Sequence, residues 1–397
     1  MRQWIVVLMV MFLAGSVGAE TGVTDDKIKV GMIADLTGPI AFVGQEASSG
    51  VKLYLQHVND LGGVHGRKIE LIVEDDGYKP PRTVAAFRKL LDRDGVFCFA
   101  GNIGSSTTMA TFPLIKRERV PLIGPGNFNS AMFTPAKRYV FALDPSYPTQ
   151  SWIMLKYIHQ NAPAAKLAII YQDDDMGLDG LRGFHEAAKH YNLPVVAEAS
   201  YKRGAVDFST QVLSLKQKDP THVILVTVTR EAPAILEKSH QLGWHPQFLA
   251  ALPAADQRVV ELAGEAAANF MGITFLDLSS PEPDKQTQRY LDLVHQYDPG
   301  RKLSLYHAYG VMLAQIFVEG LQRAGRDLTR EKLVDAMETF NGWQDCLGPP
   351  VTYGPNVRGG SNTAAFLVKA DVKNKTLVRA TDWIQFEKPQ KIAKNGK

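Results

Sequence analysis

Residues 28–59 read IKVGMIADLTGPIAFVGQEASSGVKLYLQHVN. The first nine are a nearly continuous apolar run broken only by Lys29 and Asp35, which is the composition of a strand buried on both faces. Thr37-Gly38-Pro39 then forces a turn, because Gly and Pro do not continue a strand. From Gln45 to Asn59 the apolar residues Val51, Leu55 and Val58 recur at helical spacing. Strand, tight loop and helix in this order are the opening of a β-α-β unit with a parallel sheet.

The rhythm continues outward. Strands are expected at 68–74, 96–100 and 120–123, with helices at 80–91 and 105–116. The first of these helices is opened by Pro80-Pro81. Near residues 144–150 the pattern breaks at Pro145 and Pro148, then restarts. Helices are expected at 152–160, 178–191 and 231–242, and strands at 166–171, 195–199, 223–228 and 270–274. Asp207 is placed to cap a further helix ending near Lys218. Two runs of one type separated by a proline-marked break predict two similar α/β lobes rather than one large sheet. The last third differs, with helices at 285–297, 303–324 and 330–340 and a hairpin over 364–386.

The extreme N-terminus stands apart. A basic start at Arg2, an apolar run from Ile5 to Ala14 and the small residues Val17-Gly18-Ala19 read as a secretory signal peptide, cleaved after Ala19. The expected location is therefore periplasmic. The 397-residue chain is 45% hydrophobic and 21% charged, with a net charge of +3. That balance is ordinary for a globular protein and too weakly basic to imply nucleic acid or an anionic membrane as partner. Cys98 and Cys346 could pair in an oxidising compartment, but Cys98 lies in an apolar strand, and a buried free thiol is the preferred reading. Two cysteines and ten scattered histidines make no metal site, and no cofactor motif appears.

In open α/β sheets ligands sit beyond the carboxyl ends of the strands. The loops there are the candidates. The first, residues 35–44, offers Phe42. Another, 101–108, places Ser105 and Ser106 on a helix start where hydroxyls and amides suit a carboxylate, although plain N-capping explains them as well. Residues 124–129 add Gly126, Asn127 and Phe128. In the second half the matching loops are 172–176, 227–231 and 250–253. The triplet Asp173-Asp174-Asp175 reads first as a solvated helix start and second as a cation site. No G-x-S-x-G, H-E-x-x-H or Walker run is present, so an enzyme has no motif in its favour.

Taken together, these marks are similar to those of the type I periplasmic binding proteins of ABC transporters, in particular the leucine/isoleucine/valine-binding family. They are Ile28-Lys29-Val30-Gly31 with Thr37-Gly38-Pro39, then residues 62–69, Glu74-Asp75-Asp76, 101–108 and 120–125. The resemblance implies two Rossmann-like lobes joined by a three-strand hinge. Lobe I would hold residues 20–143 and about 275–360, and lobe II residues 144–274 and about 361–390, with 391–397 a tail. It implies a monomer that captures a small molecule by hinge closure and presents it to a membrane permease, without a cofactor and without catalysis. A ligand carboxylate would meet Ser105 and the stretch from Gly126 to Phe128. Where the family places an acid for the α-ammonium, this chain has Leu252, with Asp256 and Glu231 as other possible sources of the acid. Where the family places tyrosines, it has Met176 and Val228. The expected ligand thus keeps a carboxylate, lacks an α-ammonium and has an apolar or aromatic body facing Phe42, Phe128, Tyr147 and Tyr306. A periplasmic sensor of the same fold, or an exported hydrolase, is the alternative.

Overall fold

The computed structural model describes residues 20–387 except positions 144, 279 and 361. The expected signal segment 1–19 and the expected tail 391–397 lie outside the described residues. The first lobe opens with β1 (Lys27–Ala34), α1 (Ala41–Asp60), β2 (Lys68–Asp75) and α2 (Pro80–Arg88). It continues through β3 (Cys98–Ala100), α3 (Ser105–Met109), α4 (Phe112–Glu118), β4 (Leu122–Ile123) and β5 (Val140–Phe141). Its five strands are all parallel, in the order β2-β1-β3-β4-β5.

The second lobe runs α5 (Tyr147–Asn161), β6 (Leu167–Gln172), α6 (Asp175–His190), β7 (Val195–Tyr201), α7 (Ser209–Lys216), β8 (His222–Val226), α8 (Glu231–Gln241), β9 (Gln247–Ala250), α9 (Gln257–Ala263) and β10 (Phe270–Thr274). The chain then returns with α10 (Lys285–Tyr297), α11 (Leu305–Ala324) and α12 (Arg330–Met337). It crosses once more to add β11 (Ala364–Asp371), β12 (Thr376–Arg379) and β13 (Ile384–Gln385). In the second sheet β7, β6, β8, β9 and β10 are parallel neighbours; β11 adds antiparallel to β10, β12 forms the edge antiparallel to β11, and β13 also pairs with β11.

The chain therefore passes between the sheets three times. The first and third passages lie side by side, with Ala142 N–H donating to the Arg358 carbonyl at 2.8 Å. Arg358 is buried over the Phe141 ring and donates to Glu338 and to the Lys137 and Gly354 carbonyls, which satisfies a charge that would otherwise be costly there. The returning α11 packs into the first lobe against α1. A Cβ on Gly50 would fall 2.1 Å from the His307 carbonyl oxygen, so only glycine permits this helix crossing.

Both lobes seat the helix that follows their first strand in the same way. A Cβ on Gly44 of α1 would sit 1.9 Å from the Asp35 carbonyl oxygen, and one on Gly177 of α6 would sit 1.8 Å from that of Gln172. Helix and strand end can approach this closely only through glycine, which draws the following loop to the carboxyl edge of each sheet.

Several element boundaries differ from the sequence reading. The helix expected over 105–116 is two helices, because Pro113 lacks the N–H that would continue the ladder and instead occupies the first turn of α4. Pro148 does not end an element. It lies in the first turn of α5, capped by Ser146. The helix expected from residue 178 begins at Asp175, with Asp174 accepting from the Met176 and Gly177 amides. Strands β5 and β9 and helix α9 were not expected. Cys98 and Cys346 are both buried free thiols. Among the described residues no helix is long and apolar enough to cross a membrane, and no cluster of acids, histidines and cysteines could hold a metal ion.

Candidate functional site

The carboxyl ends of the two sheets face one another, and the loops from both meet around a buried cavity of about 40 Å³. From the first lobe come Ser105, Gly126, Phe128 and Tyr78. Met176, Val228 and Pro253 close it from the second, and Tyr147 and Tyr306 flank them. The lining is mainly aromatic and aliphatic and includes no acid. A volume of this size holds a few waters at most, so the lobes are shut on one another, and an organic ligand needs them to part.

The first-lobe wall is internally bonded. Ser105 Oγ donates to Asn127 Oδ1 at 2.9 Å and lies 3.4 Å from the Tyr147 hydroxyl. Asn127 Nδ2 reaches back to the Gly104 and Ser105 carbonyls. Gly126 N–H donates to the Asn102 carbonyl at 2.7 Å, so the two glycine-containing loops form one rigid ledge. A Cβ on Gly126 would stand 2.3 Å from Ile103 Cδ1. Phe128 packs edge-on against Tyr147 and Phe275 and tilted against Tyr309, which holds its ring in place. Burial pushes the Tyr147 and Tyr306 hydroxyls far above their ordinary range, so both are neutral donors.

The lobes are held together by a polar clamp. Arg203 of the second lobe donates to the Tyr78 carbonyl at 2.8 Å and to Ser106 Oγ at 2.9 Å, and pairs with Asp174 at 2.7 Å. Its guanidinium lies 4.1 Å from the centre of the Tyr78 ring. A second bridge joins Tyr306 Oη to the Pro253 carbonyl at 2.6 Å. Asp256 caps α9 and also accepts from the Leu305 amide. Its carboxyl is raised to about 6, chiefly by burial.

The residues singled out from sequence divide into two groups. Ser105, Gly126, Phe128, Met176, Val228 and Tyr306 line the cavity together with Tyr147. The other four lie off it. Ser106 is taken by the Arg203 clamp, and Asn127 is a strut behind Ser105. Leu252 is buried with its amide bonded to Gln150, and Pro253 supplies the wall instead. Phe42 sits further out, beside a depression of about 250 Å³ that also holds Thr229, Arg230 and Arg258, and meets Tyr306 edge-on. The aspartate triplet starts α6 as expected, with Asp173 and Asp175 exposed and Asp174 as its N-cap; the difference lies at Asp174. Asp174 is mostly buried in the clamp, and Asp173 pairs with Lys202.

Sequence reasoning did not single out Tyr78, Gln172, Arg203 or Thr227. The first three make contacts across the lobe interface. Glu231, considered only as another source of the acid, is 1% exposed. Neither of its carboxyl oxygens has a hydrogen-bond partner, and the nearest cation, Arg230 Nε, is 3.8 Å away. Desolvation raises this carboxyl to about 7, with Arg230 opposing.

Two α/β lobes joined by three passages of chain and closing over a buried cavity define the type I periplasmic binding architecture. A periplasmic binding protein family model matches residues 27–375, and the chain belongs to that family. The leucine-specific-binding protein of Salmonella typhimurium (strain LT2) is 23% identical over 328 residues, 82% of this chain and 88% of that protein. A fatty acid ABC transporter substrate-binding protein from Thermomonospora curvata has a similar structure, with a TM-score of 0.85, 25% identity, and coverage of 93% of this chain and 95% of that one. A branched chain amino acid ABC transporter protein from Thermus thermophilus with bound valine superposes with a TM-score of 0.83 at 22% identity, covering 92% and 98%. These relatives are binding proteins rather than enzymes.

Proposed function

We propose that this chain is the extracytoplasmic substrate-binding protein of an ABC importer. It is exported through residues 1–19, acts in the periplasm as a monomer, and delivers its ligand to a membrane permease. Lobe I comprises residues 20–143 and about 275–360, and lobe II residues 144–274 and about 361–390. The three passages between them act as the hinge.

The ligand is a small carboxylate with an apolar or aromatic body and no α-ammonium. The observation that carries this reading is the makeup of the cavity wall: no acid lines the cavity, and Ser105 stands on a rigid ledge where its hydroxyl, donated to Asn127, can turn to a carboxylate. A buried ammonium there would lack a counter-charge and be strongly disfavoured. Phe128, Met176, Val228 and Tyr306 offer the apolar surface. The Thermomonospora curvata relative, named for fatty acids, supports the same class, since a fatty acid is a carboxylate with an apolar body.

Binding stabilises the closed form by mass action. A thermal-shift panel of alkanoates, aromatic carboxylates, leucine and valine, followed by calorimetry, tests the reading. Alkanoates or aromatic carboxylates are expected to raise the melting temperature. Leucine bound more tightly than either would overturn the ligand class, and turnover of the bound compound would overturn the transport role.

A further inference from the structure

Behind the second-lobe wall of the cavity lies a row of polar side chains that each keep an unpaired atom. Strand register places them. Gln172 ends β6 and pairs with Tyr201 at the end of β7. Tyr171 pairs with Val226 of β8, so the next step of the same ladder sets Thr227 beside Gln172. Parallel strands in register turn neighbouring side chains to one face. Glu231 enters that face from the first turn of α8. All four side chains are at least nine-tenths buried, and Gln172 Oε1, the Tyr201 hydroxyl, Thr227 Oγ1 and both Glu231 oxygens make no hydrogen bond of good geometry, the nearby donors being the Val228 amide for Tyr201 and the residue's own amide for Glu231. Buried polar atoms in folded proteins are almost always paired, and here five unpaired ones gather at one strand-end edge.

The lid over this row belongs to the other lobe. Gln172 Nε2 donates to the Tyr78 hydroxyl at 3.2 Å, and Tyr78 also feels the Glu231 charge. Tyr78 follows β2 and lines the cavity. Val228, which also lines the cavity, has its amide beside the Tyr201 hydroxyl. The row and the cavity are thus separated only by Tyr78 and Val228. When the lobes part, Tyr78 leaves with the first lobe and the row faces the cleft.

We propose that Gln172, Tyr201, Thr227 and Glu231 form a second polar subsite of the cleft, which takes a primary ammonium that the ligand carries away from its carboxylate. The chemistry of the donor set selects this group. The unpartnered atoms are one carboxylate, one amide oxygen and two hydroxyl oxygens, all able to accept. A primary ammonium has three N–H donors and the charge that a desolvated carboxylate lacks. The two arginines nearby do not complete it: Arg203 holds Asp174, Ser106 and Tyr78, while Arg230 donates to the Gly204 and Ala205 carbonyls and brings only its Nε to 3.8 Å from Glu231, beyond hydrogen-bond reach. The inference rests on the cleft reading above and narrows it to carboxylates with a remote amine.

Calorimetry on the mature full-length protein tests it, using straight-chain ω-amino acids of increasing length, the alkanoates of matching length, and leucine. Some ω-amino acid is expected to bind at least about tenfold more tightly than its alkanoate. Glu231→Gln and, separately, Tyr201→Phe should reduce that preference, with Glu231→Gln abolishing it. If alkanoates bind as well as every ω-amino acid, or if the preference survives in Glu231→Gln, the subsite is overturned and the cleft reading stands. If a folded sample binds no carboxylate of any kind, the cleft reading falls and the subsite with it. Should Glu231→Gln fail to fold, Tyr201→Phe and Thr227→Val carry the test by the same comparison.

Discussion

The two walls of the cleft are built on the same plan and finished differently. Each begins with a strand end held against a glycine of the following helix, and each presents loops at the carboxyl edge of a parallel sheet. In the first lobe the ledge groups that line the cavity are spoken for, Ser105 by Asn127 and Gly126 by Asn102, and the unpaired atoms of that loop, Asn102 Nδ2 and Thr108 Oγ1, belong to residues off the cavity lining. In the second lobe Gln172, Tyr201, Thr227 and Glu231 each keep at least one unpaired atom in a buried setting. A satisfied wall is rigid and needs only the Ser105 hydroxyl to turn from Asn127 to a ligand, whereas an unsatisfied one costs about 1–3 kcal/mol per orphaned group until something donates to it. On the proposed reading the first wall anchors, and the second discriminates.

The largest expected effect comes from removing the charge on the unfinished side. The Glu231 carboxyl sits near 7 against an ordinary 4.5, raised by burial. The folded protein then binds more protons than the unfolded chain between those values, so this group's contribution to stability is complete below about pH 4.5 and lost as pH rises through about 7. Arg230, Arg203, Asp174 and Tyr78 are the charged or titratable groups around it. Glu231→Gln removes the slope. At about pH 8 the variant should be more stable than the parent by ~2–3 kcal/mol in urea unfolding. Equal slopes in the two proteins would mean that the second wall is not under this strain.

On the anchoring side, Ser105→Ala deletes the hydroxyl that faces the ligand. A hydrogen bond to a charged group is worth ~1.5–3 kcal/mol, so carboxylate affinity should drop roughly 10- to 100-fold by calorimetry. A change below about twofold would place the anchor elsewhere. Between the walls, Arg203→Ala removes two donors and a ring contact from the closed state. The loss of ~1–2 kcal/mol should show as a larger radius of gyration of the ligand-free protein in X-ray scattering. An unchanged radius would assign closure to the Tyr306 and Asp256 bridges instead. The smallest effect is expected from Phe42→Ala, which removes one edge-on contact with Tyr306 at the cleft mouth and should weaken binding only a few-fold, about 0.5–1 kcal/mol. A loss as large as that for Ser105→Ala would move Phe42 into the site proper.

The fold was legible where the signal is long. Apolar runs such as 28–34 and 167–172 and the helical period of α1 place most elements, because buried parallel strands carry few polar residues. The four residues of β9 and the two of β5 are too short to show a period, and only pairing with neighbouring strands makes them strands. The anchoring ledge was also legible, since small and hydroxyl residues after a strand mark a ligand loop wherever the sheet lies. The discriminating wall was not. Gln172, Tyr201 and Thr227 stand at the ends of three different strands, and nothing in their local sequence says that they share a row. Tyr78 and Arg203 matter because two lobes touch, and Asp174 read as a surface turn until Arg203 was found across from it. Leu252 was placed at the site by correspondence with relatives, but the chain turns one residue further and sets Pro253 there.

The return of α11 onto α1 has a consequence for how the molecule is made. Arg301 pairs with Glu46 across 255 residues of sequence, and Arg330 donates to the Phe97 carbonyl across 233. Contacts this distant in sequence are slow to form. A chain that emerges from its amino end cannot complete its first lobe until most of its length is available, while the five parallel strands of the second lobe, β6 to β10, are all available by residue 274 and lack only the closing β11 to β13. The second lobe is therefore expected to be the earlier foldon, with the amino-terminal strands left waiting in an open, protease-sensitive state until the last third arrives.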